Sequence, residues 1–149
     1  TMKIRILTLL LFLSATLFIN CNSDNEIPQA ETINGTWNLK NVNGGFTGVD
    51  VNYENETVTW QFNAKTETLT VKSTLINNGP QSTYLPLQSG TYNYYLLEVN
   101  GKTFVHIKDF GIHTDDEYGS YSVQDGVLII NQNEGFEGSA VDTFVLTFN

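Results

Sequence analysis

Residues 94–107 read Tyr-Tyr-Leu-Leu-Glu-Val-Asn-Gly-Lys-Thr-Phe-Val-His-Ile. Two β-rich runs flank Asn100-Gly101, and Asn-Gly is the dipeptide that best tolerates the two positive φ angles of a two-residue type I′ turn. The turn fixes a hairpin and its register. Leu96 falls opposite Val105 and Tyr94 opposite Ile107 on one face, with Leu97 opposite Phe104 and Tyr95 opposite His106 on the other. Both faces are apolar, so the pattern leaves open which one is buried.

A second hairpin follows at Asp125-Gly126. It places Tyr121, Val123, Leu128 and Ile130 on one face and Ser122 and Gln124 on the other. Working outward, Val58, Trp60 and Phe62 alternate with Thr57, Thr59, Gln61 and Asn63. Leu69, Val71 and Leu75 oppose Thr68, Thr70, Lys72 and Thr74, and Phe144, Leu146 and Phe148 alternate with Thr143 and Thr147. Period two marks half-buried strands, and no window carries a helical stripe. The pattern predicts strands over 35–42, 57–63, 67–76, 90–99, 102–109, 118–124, 127–131 and 140–148.

The connections alternate in length. Asn63–Thr66, Asn100-Gly101 and Asp125-Gly126 are short, whereas Asn43–Glu56, Asn77–Ser89, Phe110–Glu117 and Gln132–Ser139 are long. In an antiparallel meander, alternate connections lie at opposite ends. One pole is therefore closed by tight turns, and the other carries the long loops. The expected fold is all-β, an eight-stranded up-and-down antiparallel barrel. Such an interior is either filled by its own side chains or just wide enough for one small ligand. An immunoglobulin-like β-sandwich is the alternative, without its usual disulfide because Cys21 is the only cysteine.

The first 20 residues have a different character. Lys3 and Arg5 precede an apolar run from Ile6 to Ile19, 14 residues long, shorter than the ~20 that span a bilayer. A basic start and a short apolar middle read as a signal peptide. Leu17-Phe18-Ile19-Asn20-Cys21 then resembles the lipobox of bacterial lipoproteins, although Asn20 stands where that family usually has Gly, Ala or Ser. The resemblance implies acylation of Cys21 and a membrane anchor. The Cys21-Asn22-Ser23-Asp24-Asn25-Glu26 stretch resembles acidic export tags of surface lipoproteins in some Gram-negative bacteria. The expected division is 1–20 signal peptide, 21–33 lipidated N-terminus and linker, and 34–149 barrel domain. The expected location is the outer membrane of a Gram-negative bacterium, lipid-anchored and surface-exposed or periplasmic.

Beyond Cys21 the chain has five basic against sixteen acidic residues, a balance of −11. This excludes a nucleic-acid face and opposes adhesion to anionic lipid. Arg5 is the only arginine, so the domain has no guanidinium for bidentate recognition of carboxylate or phosphate.

Gly35-Thr36-Trp37 at the head of the first strand resembles the G-x-W motif of lipocalin-like barrels, and the resemblance extends over about residues 33–149. It implies that Trp37 packs across the closed end and that the domain binds a small apolar molecule. The arginine that this family often stacks on the tryptophan has no counterpart in the last strand. Trp60, Tyr94, Tyr121 and Phe144 are the expected ligand-binding residues, offering apolar area and a phenol. Together with Phe62 and Phe148, they could equally fill the barrel.

Acidic residues gather toward the long loops: Asp50, Glu54, Glu56, Asp109, Asp115, Asp116, Glu117, Glu134 and Glu137, with Lys108 as the nearby counter-charge. An acidic mouth favours cationic over anionic ligands. Asp115, Asp116 and Glu117 offer hard oxygens suited to Ca2+, without the spacing of an EF-hand loop. His106 and His113 lack a zinc-ligand spacing, and no nucleophile elbow occurs. The chain therefore reads as a non-enzyme, with a carboxylate-pair hydrolase as the minor reading. The leading expectation is a lipid-anchored barrel binding an apolar or cationic small molecule. Its rival is a filled barrel whose loops bind a protein or glycan, with Phe46, Tyr84, Phe110, Tyr118 and Phe136 as candidate anchors.

Overall fold

The computed structural model describes residues 32–76 and 79–149. The leader, Cys21 and most of the linker lie outside the described residues. The strands are β1 (Gly35–Gly44), β2 (Val49–Asn52), β3 (Val58–Asn63), β4 (Thr68–Ser73), β5 (Gly90–Val99), β6 (Lys102–Ile107), β7 (Glu117–Gln124), β8 (Val127–Asn131), β9 (Glu134–Gly135), β10 (Gly138–Ser139) and β11 (Phe144–Phe148). A helical turn, α1 (Pro80–Thr83), lies between β4 and β5, and a 3-10 turn (Thr114–Asp116) precedes β7.

Eight of these strands close into an antiparallel barrel. The order β1-β3-β4-β5-β6-β7-β8-β11 follows the sequence, and β11 returns to pair with β1. This is a meander, not a Greek-key sandwich. Both hairpins behave as their dipeptides require. Asn100 and Gly101 have φ of 53° and 76°, and Asp125 and Gly126 have 52° and 73°. The pairings Tyr94↔Ile107, Leu96↔Val105, Tyr121↔Ile130 and Val123↔Leu128 are the predicted ones.

Closure depends on two long, shared strands. The first part of β1 (35–38) pairs with β3, and the later part (39–44) pairs with β11 after a register shift between Leu39 and Asn41. Likewise residues 90–93 of β5 pair with β4, and residues 94–99 with β6. A shift of register bends a strand, and bent strands let one sheet curl onto itself.

The interior is apolar and rich in aromatic rings. Trp60 lies at its centre, its ring centroid 5.1 Å from Phe148 and 6.0 Å from both Phe62 and Tyr118. Leu39, Val58, Leu69, Val105, Ile107, Leu128, Ile130 and Leu146 surround this cluster without measurable exposure. The face of the Asn100-Gly101 hairpin that sequence left open is thereby settled. Tyr94, Val105 and Ile107 point inward, while Tyr95, Phe104 and His106 point outward.

The chain enters at the tight-turn pole. The Asn34 side chain accepts a hydrogen bond from the Ala64 amide in the β3–β4 turn (2.8 Å). The indole of Trp37 donates to the Ile33 carbonyl (2.7 Å), and Ile33 is buried in the core. Gly35, at φ 135°, makes the bend between them. Trp37 thus staples the entering chain across the closed end, while the 3-10 turn that carries Asp115 folds against the β5–β6 wall, its Asp115 carbonyl accepting from the Tyr95 hydroxyl (3.2 Å).

Several predicted boundaries and loops need correction. The Asn43–Glu56 segment is not an open loop, because β1 runs on to Gly44, turns through Gly45–Gly48 and returns as β2, with Asn41↔Asn52 paired. The last strand begins at Phe144, residues 140–143 form a bend, and the small β9–β10 hairpin precedes them. Strand pairing ends at Ser73 in β4 and at Ile107 in β6.

Candidate functional site

The four expected ligand-binding residues all belong to the core cluster or pack against it. Trp60 and Tyr94 are core residues at 0% and 4% exposure, and Tyr94 meets Phe62 edge-on at 5.1 Å. Tyr121 is partly buried on the β7 wall, where burial raises its hydroxyl pKa. Phe144 lies at the far pole with its ring 6.0 Å from Tyr84.

The mouth of the barrel is plugged. The β4–β5 connection folds inward, so that Leu87 is 4% exposed and Tyr84 and Leu85 rest on the core. The Tyr53 hydroxyl shares its one proton between the carbonyls of Gln81 (3.1 Å) and Tyr84 (3.0 Å), and Tyr118 donates to that of Pro86 (3.4 Å). Burial pushes the Tyr53 hydroxyl up to about 12 and raises that of Tyr118 further. These phenols satisfy carbonyls of an inward loop that would otherwise be costly to bury.

The Asp115-Asp116-Glu117 run does not converge on an ion. Asp115 and Asp116 both have positive φ, 56° and 61°. The Asp116 carboxylate accepts the Asp109 amide (3.0 Å). Glu117 is 1% exposed and accepts the Phe136 amide on both oxygens (3.1 and 3.3 Å). Among the described residues, no three His, Cys, Asp or Glu side chains are grouped to hold a metal ion. The Gly111 position explains how tight this connection is, since any Cβ there would overlap the Asp116 backbone.

The Gln132–Ser139 segment, expected as part of an acidic rim, folds along the outer wall as a strap. Phe136 covers Phe104 (centroids 6.4 Å apart). Glu134 accepts from Ser120 (2.8 Å) and pairs with Lys102 (2.9 Å), and these bonds lower its carboxyl pKa. Glu134 therefore lies on the side wall and Glu117 beneath the strap, so neither belongs to an acidic mouth. The ring of His113 is placed between the Gln132 carbonyl (2.8 Å from Nε2) and the backbone of Gly135. His106 is 1% exposed, stacked on Tyr95 at 4.4 Å, with Nδ1 2.8 Å from the Asp115 carbonyl. Both histidines are thus structural contacts of this wall. Grooves of about 450 and 360 Å3 flank the strap, one beside His113, Glu117 and Glu137, the other beside Lys102, Phe104 and Glu134.

The long-loop pole carries the most exposed large apolar groups. Phe46 is 92% exposed and Val141 is 89% exposed. They sit on two loops that are tied together. The Gly45 amide donates to the Thr143 carbonyl (2.8 Å), and the Phe46 amide to the Asp142 carboxylate. Gly44 lies so close to the Thr143 carbonyl oxygen that a Cβ would stand 2.7 Å from it. Two exposed apolar side chains are thereby carried on loops that are bonded to each other. Of the other candidate anchors, Phe110 is 46% exposed, Tyr118 is core, Phe136 covers Phe104, and Tyr84 rests on Phe144. Period-two reading marked Phe46 as a loop aromatic but placed Val141 inside the last predicted strand, 140–148, whereas it lies in the bend before β11.

In comparisons with protein-family models, curated proteins and solved structures, nothing matches this chain.

Proposed function

We propose that this protein is an exported bacterial lipoprotein, anchored through acylated Cys21, whose filled barrel is a scaffold and whose long-loop pole binds a protein or glycan. The observation that carries the reading is the pairing of a close-packed, plugged interior with Phe46 and Val141 held in solvent at the pole opposite the entering chain. Monomeric proteins keep single apolar residues at their surface without consequence, but exposed ones carried on loops bonded to each other mark interaction sites. The lipobox and the lipocalin-like G-x-W start supply the anchor and the barrel class. Several acyl carbons at ~0.8 kcal/mol per buried CH2 hold such a domain on a membrane.

The reading separates into independent tests. Metabolic labelling with an alkyne fatty acid should mark the chain and lose the mark in Cys21→Ser. Native mass spectrometry and a solvatochromic apolar dye should find no stoichiometric small molecule in the barrel; a bound one would restore the carrier function. Glycan and extracellular-protein arrays probed with the full chain should give hits that Phe46→Ser with Val141→Ser removes. Hits indifferent to that double variant would refute the assignment of the pole.

A further inference from the structure

The geometry points to a second, separate binding surface: the free edge of β5 from Tyr95 to Val99, which takes an extended, net-cationic peptide as an added strand. It lies on the side wall and does not depend on the long-loop pole.

β5 is paired on both sides only along its first half. The pairing with β4 stops at Asn93↔Thr68, while that with β6 runs on to Val99↔Lys102. The bonds at the changeover tell which residues face outward. The Asn93 carbonyl accepts from Lys108 on the β6 side, and the Tyr94 amide donates to Glu67 on the β4 side, both at 3.0 Å. Alternation carries this rule forward. Tyr95, Leu97 and Val99 bond to β6, whereas the N–H and C=O of Leu96 and Glu98 aim at the side β4 has left. Among the described residues no strand lies there.

Sheet proteins normally blunt such an edge with lysine, proline or a bulge. Residues 95–99 contain none of these. Tyr95, Leu96 and Leu97 are instead 44%, 39% and 39% exposed. A stretch apolar on both faces, with two open donors and two open acceptors, is a template for strand addition.

Charge decides the occupant. At the head of the edge is a groove of about 240 Å3 between the β3–β4 turn and β5, lined by Glu67, Tyr95, Asp116 and Lys108 among others. Glu98 follows along the edge. Burial, and then the charges of Asp115, Asp116 and Glu117, raise the pKa of the Tyr95 hydroxyl. A second copy would bring another strongly acidic chain, of net charge −9, to this edge, whereas a lysine-bearing strand complements it.

The test uses the full chain and a labelled, capped peptide, Lys-Val-Lys-Val-Thr-Val-Lys-Val, followed by fluorescence anisotropy at several salt concentrations. Saturable, salt-weakened binding is expected, with the glutamate-for-lysine peptide at least about tenfold weaker. N-methylation of the central amides should weaken binding about tenfold for each facing N–H removed, with the protein untouched. Leu96→Pro removes an outward N–H and leaves the β6 ladder intact, so it should abolish binding with an unchanged near-ultraviolet spectrum. Absence of saturable binding, or binding indifferent to N-methylation, overturns the proposal. So does sedimentation showing a dimer that Leu96→Pro dissolves, because the edge then belongs to a second copy.

Discussion

Trp60→Ala is the sharpest probe of a filled barrel. The ring has no exposed surface and is surrounded by Phe62, Tyr118 and Phe148. Loss of its burial removes about 3 kcal/mol of transfer free energy. A residual cavity on the order of 100 Å3 adds about 2.4 kcal/mol at ~24 cal/mol per Å3. One term works the other way. The indole Nε1 is buried without a hydrogen-bond partner, and removing a buried orphan donor returns about 1–2 kcal/mol. The net cost should be about 3–4 kcal/mol, which most domains survive. With a urea m-value of about 1.2 kcal/mol/M, the midpoint should fall by roughly 3 M. Trp60→Phe keeps a ring and discards the orphan donor, so it should cost within about 1 kcal/mol. The cavity of Trp60→Ala is lined by apolar groups and should stay dry, so free indole or benzene should restore part of the lost midpoint. If Trp60→Ala costs under about 1 kcal/mol, or indole stabilises the unmodified protein as much as the variant, the interior is not close-packed and the scaffold reading fails.

Three further outcomes can be checked. Gly111→Ala should destabilise by about 1–3 kcal/mol in chemical denaturation, because its Cβ would meet backbone that cannot step aside. The protein should lose stability as pH rises above about 10. Tyr53 and Tyr118 hold their protons more tightly folded than unfolded, so the unfolded state releases protons first and is favoured; Tyr53→Phe with Tyr118→Phe should flatten that decline in a urea series. Lys102→Met should speed amide exchange in the 132–143 strap while moving global stability by less than about 1 kcal/mol, since the Lys102–Glu134 pair is half-exposed.

The frame of the barrel was legible wherever turn chemistry was local. Asn100-Gly101 and Asp125-Gly126 fixed two registers and assigned the poles, because a type I′ turn leaves the flanking strands no freedom to slip. The strap was hidden for the opposite reason. Strands of two residues have no period to detect, and Glu117 is buried only through the amide of Phe136, 19 residues away. β2 was lost among glycines, although Val49 and Val51 alternate correctly. The plug could not be read from Tyr84, Leu85 and Leu87, because Pro86 between them and the Gln and Ser that follow read as an open loop. The site residues followed the same divide: Phe46 announced itself as a lone aromatic in a loop, whereas its brace to Asp142 spans 96 residues.

The seam between β1 and β11 has a consequence for how the molecule comes into being. Asn38 and Asn149 exchange both backbone hydrogen bonds, at 2.7 and 3.0 Å across 111 residues of chain. Bringing such distant segments together costs about 4 kcal/mol in closure entropy, and contacts this remote slow folding. Until the final strand has been made, the first has no neighbour on that side and the ring stays an open ribbon. The cylinder therefore cannot close before β11 is in place to pair with β1.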